Sequence, residues 1–260
     1  MSGPYSTIIT RQEGAHLSIW LNRPQKRNAL NNTLIAELKQ VLRGAENDQD
    51  VRVITLRGKG SAFCSGADLS YLKELRRYDR QENLKDSLSL AELYLQIYLH
   101  PKPLIALVQG PALAGGCGLA SVCDFILATP EAKFGYPEVK IGFIAAMVSA
   151  FLVRQIGERK ARELLLSGKL LAAHEAAEWG LVSKVISSDE LLTEHANLVA
   201  ALGKNSSLAM RKTKEMIARN ILPSITEEIK KLVWENVKFR ESSDFIEGIS
   251  AFIEKRKPSW

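Results

Sequence analysis

Apolar and polar positions change their period along this chain, and the change divides it. Short runs rich in apolar and β-branched residues, "STIIT", "AHLSIWLN", "VRVITLRG", "LIALVQG" and "DFILAT", read as strands, and stretches of helical period at 32–46 and 82–99 lie between them. That alternation predicts an α/β fold, and no Gly/Ser linker or low-complexity segment interrupts residues 5–186. From Asp189 onward the strand signals vanish. "ELLTEHANLVAALGK", "SLAMRKTKEMIARN", "SITEEIKKLVWENVKF" and "DFIEGISAFIEKRK" each carry an amphipathic helical pattern, punctuated by Pro223 and "ESSD". The expected organisation is an α/β core over 1–188 and a helical region over 189–260, whose apolar faces cover the core or meet another subunit.

The longest nearly uncharged run, "IGFIAAMVSAFLV" at 141–153, is thirteen residues, short of the roughly 18 to 20 that cross a bilayer, and is expected as a buried helix. The net charge of +6 is mild and spread along the chain, concentrating only in "EKRKPSW"; it gives no nucleic-acid footprint and fits an anionic small molecule better. Cys64, Cys117 and Cys123 have no metal-type spacing, and the four histidines stand far apart, so no metal site is expected and the thiols should be reduced. With no secretory or transit pattern in the first thirty residues, the expected location is the cytoplasm.

Two glycine turns carry the chemistry. In "GSAFCSGADL" (60–69) a strand runs into a Gly/Ser turn, and Asp68 stands where a helix begins. In "LAGGCGLASVCD" (113–124) Gly115 and Gly116 open a second helix after the strand "LIALVQG". Two such turns that aim N–H groups at one carbonyl oxygen would make an oxyanion hole, where one donor is worth roughly 3 to 4 kcal/mol. The alternative reading makes Asp68 an ordinary helix cap in a β-to-α connection and the glycines a means only for a buried helix to pack closely.

The segments "FCSGADL", "VQGPALAGGCGLASVCDFILATPEAKFGYPEVKIG", "IGERKARELLLSG" and "FIEKRKPSW" resemble the enoyl-CoA hydratase/isomerase (crotonase) family over essentially the whole chain. The resemblance implies a spiral of ββα units with a C-terminal helical region that builds a homotrimer, often paired into a hexamer. It implies an acyl-CoA thioester as ligand, with coenzyme A present only as part of the substrate and no other cofactor. The two oxyanion donors fall on the Ala67 and Gly115 amides. Of the two glutamates of the family's hydratases, the second falls on Glu138 in "FGYPEVKIG", and the first is replaced by Gly118. Gly66, Asp68, Leu69, Gly116, Gly118, Pro137, Ile141 and Ile144 join the substrate-binding set, and Lys255 falls where the family places a lysine on a CoA phosphate.

One carboxylate leaves three outcomes open. Glu138 could carry both proton transfers of a hydration while another polar group orients the water; it could shuttle one proton between two carbons, as a Δ3,Δ2-enoyl-CoA isomerase; or the chain could bind acyl-CoA without turnover, with RNA contact as a further use. The stretch "PEVKIGFIAAMVSAFLVRQIGERKAREL" is similar to bacterial 3-methylglutaconyl-CoA hydratases, which points to hydration of a dicarboxylic enoyl-CoA. Lys140 and Arg154 are candidates by position to pair its extra charge, and each reads better as a solvated surface charge. Following Pro137, Glu138 also suits the first turn of a helix for reasons of dipole alone, while Ile141, Phe143, Ile144 and Met147 could wall an acyl pocket and raise its pKa. Cys117 offers a rival nucleophile at a helix start, or a small buried apolar group.

Overall fold

Leu104–Val108 is apolar and buried at every position, as a strand covered on both faces must be, and it lies in the middle of the main sheet. A computed structural model describes residues 5–220 and 222–260, with the side chains of Leu69 and Leu222 outside the description. The core elements are β1 (Ile8–Glu13), β2 (His16–Leu21), α1 (Asn32–Asn47), β3 (Val53–Gly58), α2 (Leu69–Leu75), α3 (Arg80–Tyr98), β4 (Leu104–Val108), β5 (Ala112–Leu113), α4 (Gly115–Ser121), β6 (Phe125–Ala128) and β7 (Lys133–Gly135). They continue through a 3-10 turn (Pro137–Ile141), α5 (Ala146–Ile156), α6 (Glu158–Ser167), β8 (Leu170–Ala172), α7 (Ala173–Glu178) and β9 (Lys184–Val185). Then come α8 (Leu191–Lys204), α9 (Ser207–Arg219), α10 (Leu222–Phe239) and α11 (Ser243–Glu254).

Six strands form one sheet in the order β1-β2-β3-β4-β6-β9; only β1 and β2 run antiparallel. A second sheet, β5-β7-β8, stands apart from it. The helices between the parallel strands start where the sequence supplies caps. Asn31 accepts the Leu34 N–H at 2.9 Å, worth about 1 kcal/mol, and α1 then buries Leu34, Ile35, Leu38, Val41 and Leu42 on one stripe. Asp79 and Glu82 form a reciprocal capping box that opens α3.

The four helices read after Asp189 are present as α8 to α11. α10 lies against α3 and α5, and its Ile225, Ile229 and Val233 enter the main core. α11 packs on the 3-10 turn and α2, where Phe245 and Ile249 meet Tyr71, Leu72 and Leu75. The apolar run at 141–153 departs from expectation: it is not one helix. Gly142 takes a left-handed φ of 58° between the 3-10 turn and α5, and helix resumes only at Ala146. A side chain at Gly142 would strike the Asp244 backbone, so glycine there lets α11 dock against the turn. Among the described residues no helix is long and apolar enough to cross a membrane.

Candidate active site

The first glycine turn is built so that one amide is left over. The Leu30 N–H donates to the Gly66 carbonyl at 2.6 Å and the Asp68 N–H to the Leu30 carbonyl at 3.0 Å. In this parallel bridge the intervening Ala67 N–H faces away from Leu30. The second turn leaves another, because the Gly118 N–H takes the Ala114 carbonyl at 3.0 Å and the N–H groups before it open α4. Among the described residues neither the Ala67 nor the Gly115 amide has a backbone acceptor.

Short contacts lace the two turns together. The Leu113 N–H donates to the Cys64 carbonyl at 2.9 Å, and a Cβ on Gly66, at φ +91°, would stand 2.9 Å from the Ala114 Cβ. Ala114 itself takes φ 50°, ψ −129°, a strained conformation for a residue with a side chain, which costs of order 1 to 3 kcal/mol and directs the chain into Gly115.

Ala67 and Gly115 share a cavity of about 420 Å³ with Glu138, walled by α2, α3, the start of α5, the end of α10 and Phe252 of α11. Pro137, Lys140, Ile141, Phe143, Ile144 and Met147 all line it, which puts apolar side chains along the cavity after Glu138. A wider cleft of about 750 Å³ near Glu46, Arg211, Lys214 and Glu215 is rich in charge but includes neither turn nor Glu138, so the chemistry points to the smaller cavity.

Glu138 is 7% exposed, and its Oε2 has no hydrogen-bond partner among the described residues. Burial pushes its pKa up to about 7, with its own backbone N–H acting weakly the other way. The turn that carries it is 3-10 with Pro137 at its start, and the Gly142 and Phe143 N–H groups both return to the Glu138 carbonyl. The carboxyl is therefore rigidly based, desolvated and unpaired, a poor arrangement for stability and a good one for moving protons near neutral pH.

The remaining expected residues divide. Gly66, Asp68, Gly116 and Gly118 stand behind the wall rather than in it. Asp68 accepts from Arg23 Nη2 at 2.5 Å and caps α2 through the Ser70 N–H at 3.0 Å; burial raises its pKa, and these hydrogen bonds more than reverse that. Gly116 packs on the Cys64 backbone, with no room for a Cβ. Leu69 opens α2, and its side chain lies outside the described residues. Lys255 ends α11, exposed, three residues past Phe252. Cys117 is fully buried with its thiol pushed up to about 12 by that burial, which removes it as a nucleophile. Arg154 pairs with Glu228 at 2.9 Å across to α10 and does not line the cavity, which is the surface-charge reading of it.

Three polar wall residues have no counterpart in the sequence reading. Tyr94, 1% exposed, donates its hydroxyl to the Gly115 carbonyl at 3.0 Å. Arg240 places Nη1 on Asp86 at 2.8 Å and Asn83 at 2.9 Å, while its Nε has no partner among the described residues; Tyr71 donates to the same Asp86. Asn236 donates to Ser87 at 3.1 Å, and its Oδ1 is likewise unpaired. Their helical spacing reads as core or solvated face, and only the docking of α10 on α3 reveals otherwise.

The family model described as enoyl-CoA hydratase/isomerase matches residues 11–260. A Thermus thermophilus protein provisionally named an enoyl-CoA hydratase is 41% identical over 96% of this chain and 99% of its own. The 2,3-dehydroadipyl-CoA hydratase of Escherichia coli is 34% identical over 97% of both chains. A crystal structure of an enoyl-CoA hydratase/isomerase from Xanthobacter autotrophicus superposes with a TM-score of 0.88 at 31% identity, covering 96% of this chain and 92% of that one. With two free amides and an unpaired carboxyl facing one acyl-sized cavity, and with this likeness running nearly end to end, the chain belongs to the enoyl-CoA hydratase/isomerase family and has its crotonase fold.

Proposed function

We propose that this chain adds water across the 2,3 double bond of an enoyl-CoA thioester, and that 3-methylglutaconyl-CoA is its substrate. The observation that carries the reading is the Glu138 carboxyl, buried and unpaired in the cavity that also holds the Ala67 and Gly115 amides. The amides would receive the thioester oxygen as it gains charge, which makes the β-carbon electrophilic and the α-carbon basic in turn. Glu138 as carboxylate would take a proton from water and return it to the α-carbon. A homotrimer or a hexamer formed through the helical region is part of the same proposal.

A dicarboxylic acyl group is supported by the polar end of the cavity. Arg240, although paired with Asp86, lines the cavity with an unused Nε donor, Lys140 lines the same cavity as a second cation, and a relative of similar length is named for 2,3-dehydroadipyl-CoA. The wild-type kcat/KM is expected to be higher for 3-methylglutaconyl-CoA than for crotonyl-CoA. Arg240→Met should shrink that ratio by about 10-fold or more, the value of one charge-assisted hydrogen bond. Equal rates on the two thioesters in the wild type would remove the dicarboxylic reading and leave hydration standing.

The glycine at position 118 favours a second reading, Δ3,Δ2-enoyl-CoA isomerisation, since a single carboxylate suffices to carry a proton between two carbons. Ultraviolet absorbance separates the two: hydration removes the conjugated thioester band, and isomerisation creates it.

A further inference from the structure

A single carboxyl cannot by itself fix a water molecule. One contact leaves the oxygen free to swing about that bond, and attack on the β-carbon needs a set direction. The structure offers a second contact in an unexpected place. A Cβ built on Gly118 would stand 2.6 Å from the Tyr94 hydroxyl oxygen and 2.8 Å from its ring carbon Cζ. The phenol thus fills the space into which a side chain at 118 would project. Its proton is committed to the Gly115 carbonyl at 3.0 Å, so its oxygen keeps lone pairs to accept from something else. It lines the same cavity as Glu138, and the Glu138 charge is felt at its ring.

We infer that the Tyr94 hydroxyl accepts one hydrogen bond from the water that adds to the β-carbon, holding it against Glu138 in place of an acid at position 118. This rests on the hydration reading. In the step, the water oxygen bonds to the β-carbon while the π pair moves into the thioester oxygen held by the Ala67 and Gly115 amides. One water proton passes to the Glu138 carboxylate. The enolate then takes that proton at the α-carbon and the carboxylate is regenerated, with Tyr94 keeping its own proton throughout. Tyr94 is a positioning residue for water, and it is not required for removing or returning an α-proton.

That division gives the test. Tyr94→Phe keeps the ring and loses the oxygen. Two rates are measured for wild type and variant: hydration of an enoyl-CoA by loss of absorbance, and exchange of the α-hydrogens of butyryl-CoA in heavy water by mass spectrometry. Exchange needs the amides, Glu138 and the heavy-water solvent that trades a deuteron with its carboxyl, but no water oriented at the β-carbon, so it also reports that the variant is folded. Hydration kcat is expected to fall about 10- to 100-fold with a smaller change in KM, while exchange stays within about 3-fold. A parallel fall in both rates would show that the hydroxyl only steadies the Gly115 peptide, and unchanged hydration would show that it does nothing; either overturns the assignment. A wild type that exchanges but hydrates no enoyl-CoA would instead overturn the hydration reading on which it rests.

Discussion

Glu138→Gln is expected to lose at least ~100-fold in kcat and, at pH 8, to be more stable than the wild type. Both effects come from the same unpaired carboxyl. Its pKa in the folded chain is about 7 against an ordinary 4.5, so folding favours the protonated form. The stability this group contributes is whole below pH 4.5 and is lost as pH rises through 7, by an amount on the order of 3 kcal/mol. Glutamine does not ionise and escapes that loss. Urea denaturation of both proteins at pH 4.5 and pH 8 measures it: the wild type should lose more stability between the two than the variant does. The activity runs the other way, because Glu138 must start as carboxylate to accept a proton from water. Wild-type kcat/KM should therefore rise about tenfold per pH unit below 7 and level off above it. A variant with full activity, or one whose stability changes between the two pH values as much as the wild type's does, would refute the assignment.

Gly118→Glu, which puts an acid at the position where the family resemblance implies the first of two glutamates, is expected to destabilise the fold by several kcal/mol rather than raise activity. Its Cβ would meet the Tyr94 hydroxyl at 2.6 Å and Val148 Cγ1 at 2.6 Å, both on side chains fixed in the core. Overpacking of this kind costs about 1 to 3 kcal/mol, and a second carboxyl buried without a partner adds to that. The two positions should be coupled. Tyr94→Ala opens the volume the glutamate needs, so the double variant should lose less stability than the two single losses together. Strict additivity in urea denaturation would mean that Tyr94 does not occupy that space.

The sequence made the fold class legible because the period of its apolar positions changes cleanly, from strands such as Leu104–Val108 to the four helices after Asp189. It was less informative where elements are too short to show a period, as in β5, β7 and β9, or where one glycine breaks a run, as Gly142 does. Ala67, Gly115 and Glu138 could be named because their motifs are local. Tyr94, Asn236 and Arg240 could not. Tyr94 lies at ordinary core spacing on α3, and Arg240 follows α10 in a stretch that reads as solvated. Their roles depend on contacts such as Arg240 with Asp86, which are 154 residues apart. Arg154 could only be weighed between two readings for the same reason, since nothing local distinguishes a helix face turned to the cavity from one turned to Glu228.

The place of Phe252 in the cavity wall has a consequence for how this protein is made. α11 docks on the 3-10 turn and α2, more than a hundred residues earlier in the chain, so the pocket has an open side until that helix has left the ribosome. Glu138 lines that same cavity, so its surroundings are completed only when Phe252 takes its place in the wall. In a nascent chain halted before α11, water would reach its carboxyl through that open side, and its pKa would lie lower than in the finished protein.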